Sequence, residues 1–126
     1  MLTLHTILFV ADQAKSTEFY SRVLNLQPDL NVPGMTEFHL SDGAVLGLMP
    51  RASAERLFTD KVKIARENLN EKSAELYLLV DEAANYIRRA INEGAVEIDP
   101  LQLRDWGHRA SYYLDPDGQI IAFAQK

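Results

Sequence analysis

The chain predicts an α+β fold assembled from two like modules, on two observations. The segment from His5 to Gly47 is echoed from Glu75 to Ala122, and each copy reads as strand, helix, strand, tight turn, strand. The offset is 70 residues at the first strand (75 minus 5) and 75 at the hairpin (122 minus 47). A unit of that size cannot bury its apolar face alone, so the copies are expected to stack and share a core or a cleft. At 126 residues and 47% hydrophobic, the chain suffices for one compact domain or two mutually dependent lobes, and one structural unit is expected.

The elements follow in order. Leu4 to Val10 is a β-rich run, apolar on both parities except at His5 and Thr6, as in a strand covered on both faces. Asp12 is an N-cap, and the following helix places Phe19, Tyr20, Val23 and Leu24 on one face and ends near Asn25 to Gln27, before Pro28. After a Pro33-Gly34 turn, Thr36 to Leu40 and Ala44 to Met49 flank Ser41-Asp42-Gly43, a short-range hairpin signal. Modules of about 1–50 and 74–126 are joined by a polar, mixed-charge linker, 51–73. Its weak helical pattern runs through Val62, Ala65 and Leu69. In the second module Glu75 to Val80 is a strand, with Glu75 a carboxylate opening a central strand. Ala83 to Glu93 is a helix with Tyr86, Ile87, Ala90 and Ile91 inward and Gly94 as its C′ residue. Arg109 to Leu114 and Gln119 to Ala124 form the last hairpin, around Asp115-Pro116-Asp117-Gly118.

Composition excludes several functions. Zero cysteines removes disulfides, Cys-zinc sites and thiol nucleophiles. The apolar start lacks a basic n-region and a small-residue cleavage site and is too short to span a bilayer, so a cytoplasmic protein is expected. A net charge of −5 disfavours nucleic acid and anionic membranes and mildly favours a neutral or cationic ligand. There is no G-x-G-x-x-G or Walker loop, no serine stands in a nucleophile elbow, and turn geometry explains Asp115 and Asp117.

The pattern D-x-x-x-S-x-x-F-Y-x-x-V-L-x-L within Val10 to Leu26, with W-G-x-R-x-x-Y-Y-x-D-P-D-G from Trp106 to Gly118, resembles the vicinal oxygen chelate superfamily. That group includes glyoxalase I, bleomycin-resistance proteins, fosfomycin-resistance enzymes and extradiol dioxygenases. The resemblance implies one glyoxalase/bleomycin-resistance-like domain over 1–126. Two βαβββ modules with curved mixed sheets would enclose a cleft, usually completed in a homodimer. In metal-dependent relatives each module offers a ligand from its first strand and a carboxylate from its last. The matching positions here are His5, Gly47, Glu75 and Ala122, so both last-strand carboxylates are gone. A catalytic divalent metal needs about three protein ligands; if a metal binds at all, His5 and Glu75 are its ligands.

The resemblance also places Tyr112 toward the cleft with Ala110 and His108, and leaves Tyr113 in the core. His39 and His108 match no ligand position of the family. The expected function is metal-free binding of a small organic molecule, neutral or cationic and aromatic, as in sequestration of a drug or metabolite. The lining is His5, Ile7, Phe9, Glu37, Gly47, Met49, Glu75, Tyr77, Trp106, Tyr112 and Ala122. Gly47 and Ala122 leave room at its centre, and Arg109 is the one cation nearby. The alternative is a metal-dependent lyase, isomerase or dioxygenase that adds Glu37 or His39 to His5 and Glu75. A purely structural or interaction module is the third class.

Overall fold

A computed structural model describes residues 2–59, 61–65 and 71–126. The chain divides into two compact units, Met1–Ala65 and Arg66–Lys126. In the first, β1 (Leu4–Val10), α1 (Gln13–Leu24), β2 (Leu30–Val32), β3 (Met35–Ser41), β4 (Ala44–Pro50) and α2 (Arg51–Phe58) build a mixed sheet of order β1-β4-β3-β2, with β1 parallel to β4. In the second, β5 (Glu75–Leu79), α3 (Ala83–Asn92), β6 (Val96–Leu103), β7 (Arg109–Leu114) and β8 (Ile120–Gln125) repeat the plan in the order β5-β8-β7-β6. Each unit is thus βαβββ, and each sheet is open. No helix among the described residues is long and apolar enough to cross a membrane.

The local chemistry of the first unit accounts for its elements. Asp12 caps α1 by accepting the Lys15 amide at 3.1 Å. The helix closes at Asn25, whose φ of 55° is the left-handed conformation that asparagine tolerates. Phe19, Tyr20, Val23 and Leu24 are buried on one sheet face against Val10, Phe38, Leu46 and Leu48. Gly43 turns the β3–β4 hairpin with φ 78°.

The second unit packs less apolar helix surface. Ala83 and Ala90 are buried and the Tyr86 ring stacks on Phe123 with centroids 5.9 Å apart. In the DPDG turn the Asp115 carboxylate accepts the amides of Asp117 and Gln119 at 2.9 and 2.8 Å.

Four expectations are corrected. β1 is not covered on both faces: it is an edge strand, with Leu4 64% and Ile7 39% exposed and only Val10 fully buried. β5 is likewise an edge strand, so Glu75 opens an edge and is exposed. Ile91 is 51% exposed rather than inward, because the buried stripe of α3 runs through Ala83 and Ala90, seven residues apart, and Ile91 lies beside it. The helix after β4 is Arg51–Phe58, which packs on β4 and β1; Val62 and Ala65 are not helical, and Leu69 lies outside the described residues. Its apolar anchors are Ala54, fully buried, and Phe58, whose ring lies 6.2 Å from Phe9.

Candidate functional site

Register decides which side chains share a face, because paired residues on adjacent strands point the same way. In the first unit His5, Ile7 and Phe9 of β1 pair with Val45, Gly47 and Met49 of β4, and Glu37 of β3 also pairs with Gly47. These residues lie opposite α1, whose own face is marked by Thr36, Phe38, Leu46 and Leu48. His5 Nδ1 stands 3.6 Å from the Glu37 carboxylate. Phe9 and Met49 are half-buried beside them.

The expected room at Gly47 is absent. A Cβ built there would lie 3.1 Å from Ile7 Cγ1 and 3.4 Å from Met35 Sδ, so neighbouring apolar side chains already occupy the space of a last-strand side chain. Sequence places Ile7 and Glu37 with Gly47 in the expected lining, whereas the strand pairing and the lean of Ile7 and Met35 over the glycine come from the tertiary structure.

In the second unit Tyr77 and Tyr112 pair with Ala122 from either side, which puts the small, fully buried Ala122 between two tyrosines on the face opposite α3. The loop from Arg104 to His108 then folds back, its Arg104 amide donating to the His108 carbonyl at 2.8 Å. That turn brings Trp106 Nε1–H within 2.9 Å of Tyr77 Oη and Tyr77 Oη within 2.8 Å of His108 Nδ1. Glu75 begins the same strand and shares the parity of Tyr77. Burial, followed by the charge of Glu75 and the neighbouring Tyr77, pushes the Tyr112 phenol above its ordinary value of 10.0, against the opposing pull of Arg104.

Arg104 is the residue that sequence reasoning missed. Its guanidinium lies 5.1 Å from the centre of the Tyr112 ring and donates to the Asp99 carboxylate at 3.0 Å and to the backbone oxygens of Pro100 and Ala110 at 2.8 Å. Arg109, the cation expected near the site, pairs with Gln125 and shares the parity of Ser111 and Tyr113, so it belongs to the opposite face from Tyr112. The structure therefore groups His5, Ile7, Phe9, Glu37, Gly47 and Met49 in the first unit, and Glu75, Tyr77, Trp106, Tyr112 and Ala122 in the second. His39 is an exposed strand residue whose backbone amide donates to Asp29 at 2.8 Å. A separate groove of about 600 Å³ between α1 and β2 contains none of the candidate residues.

The sequence model of the glyoxalase/bleomycin resistance protein/dioxygenase superfamily matches residues 3–123, and the chain belongs to that superfamily. No curated protein matches it. Among solved structures, it is similar to a glyoxalase-related enzyme from Fulvimarina pelagi at 20% identity and a TM-score of 0.83, covering 100% of this chain and 88% of that one. A glyoxalase/bleomycin resistance protein from Catenulispora acidiphila shares 22% identity, with a TM-score of 0.70 and coverage of 100% and 99%. A glyoxalase/bleomycin resistance protein/dioxygenase family enzyme from Burkholderia phytofirmans shares 16% identity, with a TM-score of 0.78 and coverage of 96% and 95%. At these identities the likeness establishes the fold alone.

Proposed function

We propose that the chain is a metal-free small-molecule-binding member of its superfamily. It takes up a flat organic ligand, neutral or cationic, and acts by sequestering a drug or metabolite. The observation that carries this reading is the aromatic face of the second unit: Tyr77, Trp106 and Tyr112 around the small Ala122, with the Glu75 carboxylate at its edge. Stacking faces and one anionic group at their edge are what a flat cationic molecule needs.

The donor set does not fit the divalent metal that the superfamily implies. Two of the four matching positions, Gly47 and Ala122, have no donor atom, and Ile7 and Met35 crowd the first of them. Among the described residues no three His, Cys, Asp or Glu side chains group as ligands. A complete structural zinc site supplies about 10 kcal/mol or more, and two donors supply far less. Protein purified without added metal or chelator should carry zinc, nickel, manganese and iron well below stoichiometry by elemental analysis. Stoichiometric metal would overturn this reading in favour of a lyase or dioxygenase.

Ligand charge provides a second test. A cation–π contact and a carboxylate contact are each worth about 0.5–2 kcal/mol. N-methylquinolinium should therefore bind about tenfold or more tighter than naphthalene-2-sulfonate. Trp106, the only tryptophan and 56% exposed, reports binding directly by its fluorescence. The four hydrogen bonds of Arg104 to protein acceptors leave it poorly placed to receive an anion. Preferential quenching by the sulfonate would show that Arg104, rather than Glu75, sets the charge of the site.

A further inference from the structure

We infer that His108 is the hydrogen-bond donor by which the site recognises an acceptor oxygen, such as a carbonyl or amide oxygen, on its ligand. The inference rests on the proposed binding role and adds to it the polar half of the ligand.

Protons along the Trp106, Tyr77 and His108 chain are assigned from the donor and acceptor strengths of the three groups. An indole N–H can only donate, so at 2.9 Å Trp106 Nε1–H occupies a lone pair of Tyr77 Oη. The phenol keeps one proton of its own. Its other partner among the described residues is His108 Nδ1, at 2.8 Å. A phenol is a stronger donor than acceptor and an imidazole nitrogen a strong acceptor, so the Tyr77 O–H is assigned to Nδ1, which is then free of a proton. The neutral ring then carries its proton on Nε2. His108 is half-buried, and its Nε2 is not among the enclosed polar atoms, so this N–H is open to solvent. The imidazole lies 6.0 Å from the Tyr77 ring, centroid to centroid and tilted by 32°, on the face that holds Tyr112 and Ala122. Trp106 and Tyr77 are thus positioning residues: they hold one tautomer, whose remaining N–H lies beside the aromatic face and is not enclosed by protein. A ligand with an acceptor beside its ring meets that donor, while Glu75 meets a cationic group.

The test uses the full chain and two probes, 4-acetyl-N-methylpyridinium and 4-ethyl-N-methylpyridinium, which differ in one carbonyl. Tryptophan-fluorescence titrations should show the acetyl probe binding wild-type protein about three- to tenfold tighter. In His108→Phe that preference should collapse while affinity for the ethyl probe is retained. Equal affinities in wild type, or a preference that survives His108→Phe, overturns the inference and leaves the aromatic site standing. Failure of both probes to bind overturns the binding reading and this inference with it. Side-chain ¹⁵N NMR of the wild type at about pH 8, where imidazole is ordinarily neutral, tests the tautomer without any variant of uncertain folding. His108 should show the Nε2–H pattern, moving toward a tautomer mixture in Tyr77→Phe; an Nδ1–H pattern in wild type overturns the assignment.

Discussion

Replacing Arg104 with alanine is expected to lower unfolding free energy by about 2–4 kcal/mol. The side chain is only 13% exposed and ties three segments together. Nη1 donates to Asp99 on β6 at 3.0 Å, Nη2 to the Pro100 carbonyl at 2.8 Å, and Nε and Nη2 to the Ala110 carbonyl of β7 at 3.1 and 2.8 Å. The pairing of β6 with β7 shifts register between Glu97 and Asp99 and again between Asp99 and Gln102. Arg104 bonds to acceptors beside those irregularities. Deleting it leaves these oxygens without their charged donor and takes the cation from the Tyr112 ring. Arg104→Lys should recover less than half of the loss, because one ammonium cannot reproduce a planar fork aimed at three acceptors. Urea denaturation measures both variants; an Arg104→Ala protein within about 0.5 kcal/mol of wild type would reduce the network to an ordinary surface ion pair.

The same variant has a spectroscopic consequence with a definite sign. Arg104 pulls the Tyr112 phenol down against burial and Glu75, so its removal should raise that titration further, as followed by phenolate absorbance. With the folded value above the unfolded 10.0, the folded state favours the neutral phenol. That contribution is fully present below 10.0 and is lost as pH rises from there through the folded value. Tyr113, raised chiefly by burial, acts in the same direction.

The second large effect is expected at Gly47, where Gly47→Glu should destabilise the fold by about 3 kcal/mol. This substitution introduces the carboxylate that the superfamily resemblance implies for metal-dependent relatives at this position, and the loss would show that Ile7 and Met35 leave no room for it. Gly47 sits in a strand with no positive φ, and there a glycine-to-alanine change ordinarily gains about 0.5–1 kcal/mol. Against that gain stands a Cβ 3.1 Å from Ile7 Cγ1, an overpacking cost of about 1–3 kcal/mol, so Gly47→Ala alone should be mildly destabilising. Glutamate adds bulk and sets a second carboxylate across from Glu37. In an Ile7→Ala background the obstruction is gone, and Gly47→Ala should change sign and become stabilising. A cycle of the four proteins in urea measures this; additivity would mean that Ile7 and Gly47 are not coupled and that the site is open.

Much of the fold was legible because it is written in short-range chemistry. The Asp12 cap, the Phe19-Tyr20-Val23-Leu24 face, the Asp42-Gly43 turn and the DPDG turn each depend on residues within a few positions of one another, and each formed as expected. β6 went unread along the residues themselves. Its Val96-Glu97-Ile98-Asp99 alternation is interrupted by Pro100, and its pairing survives through bulges that only a neighbouring strand can stabilise. Apolar spacing points weakly to a helix through Val62, Ala65 and Leu69, whereas the helix that forms is Arg51–Phe58, anchored on β1 and β4 by contacts distant in sequence.

The candidate site divides in the same way. Sequence alone determined that glycine and alanine stand at Gly47 and Ala122, two of the four positions that the superfamily resemblance implies as ligands, that the chain is acidic, and that the second repeat holds tyrosines and the one tryptophan, since residue identity needs no coordinates. Tertiary structure decided the rest. Ile7 and Met35 fill the space above Gly47, Arg104 rather than Arg109 reaches Tyr112, and Trp106, Tyr77 and His108 join into one hydrogen-bonded chain. Those outcomes depend on strand register and loop return, which bring residues about 30 positions apart within 3 Å. Side-chain parity reverses with each residue of register, so local sequence cannot specify them.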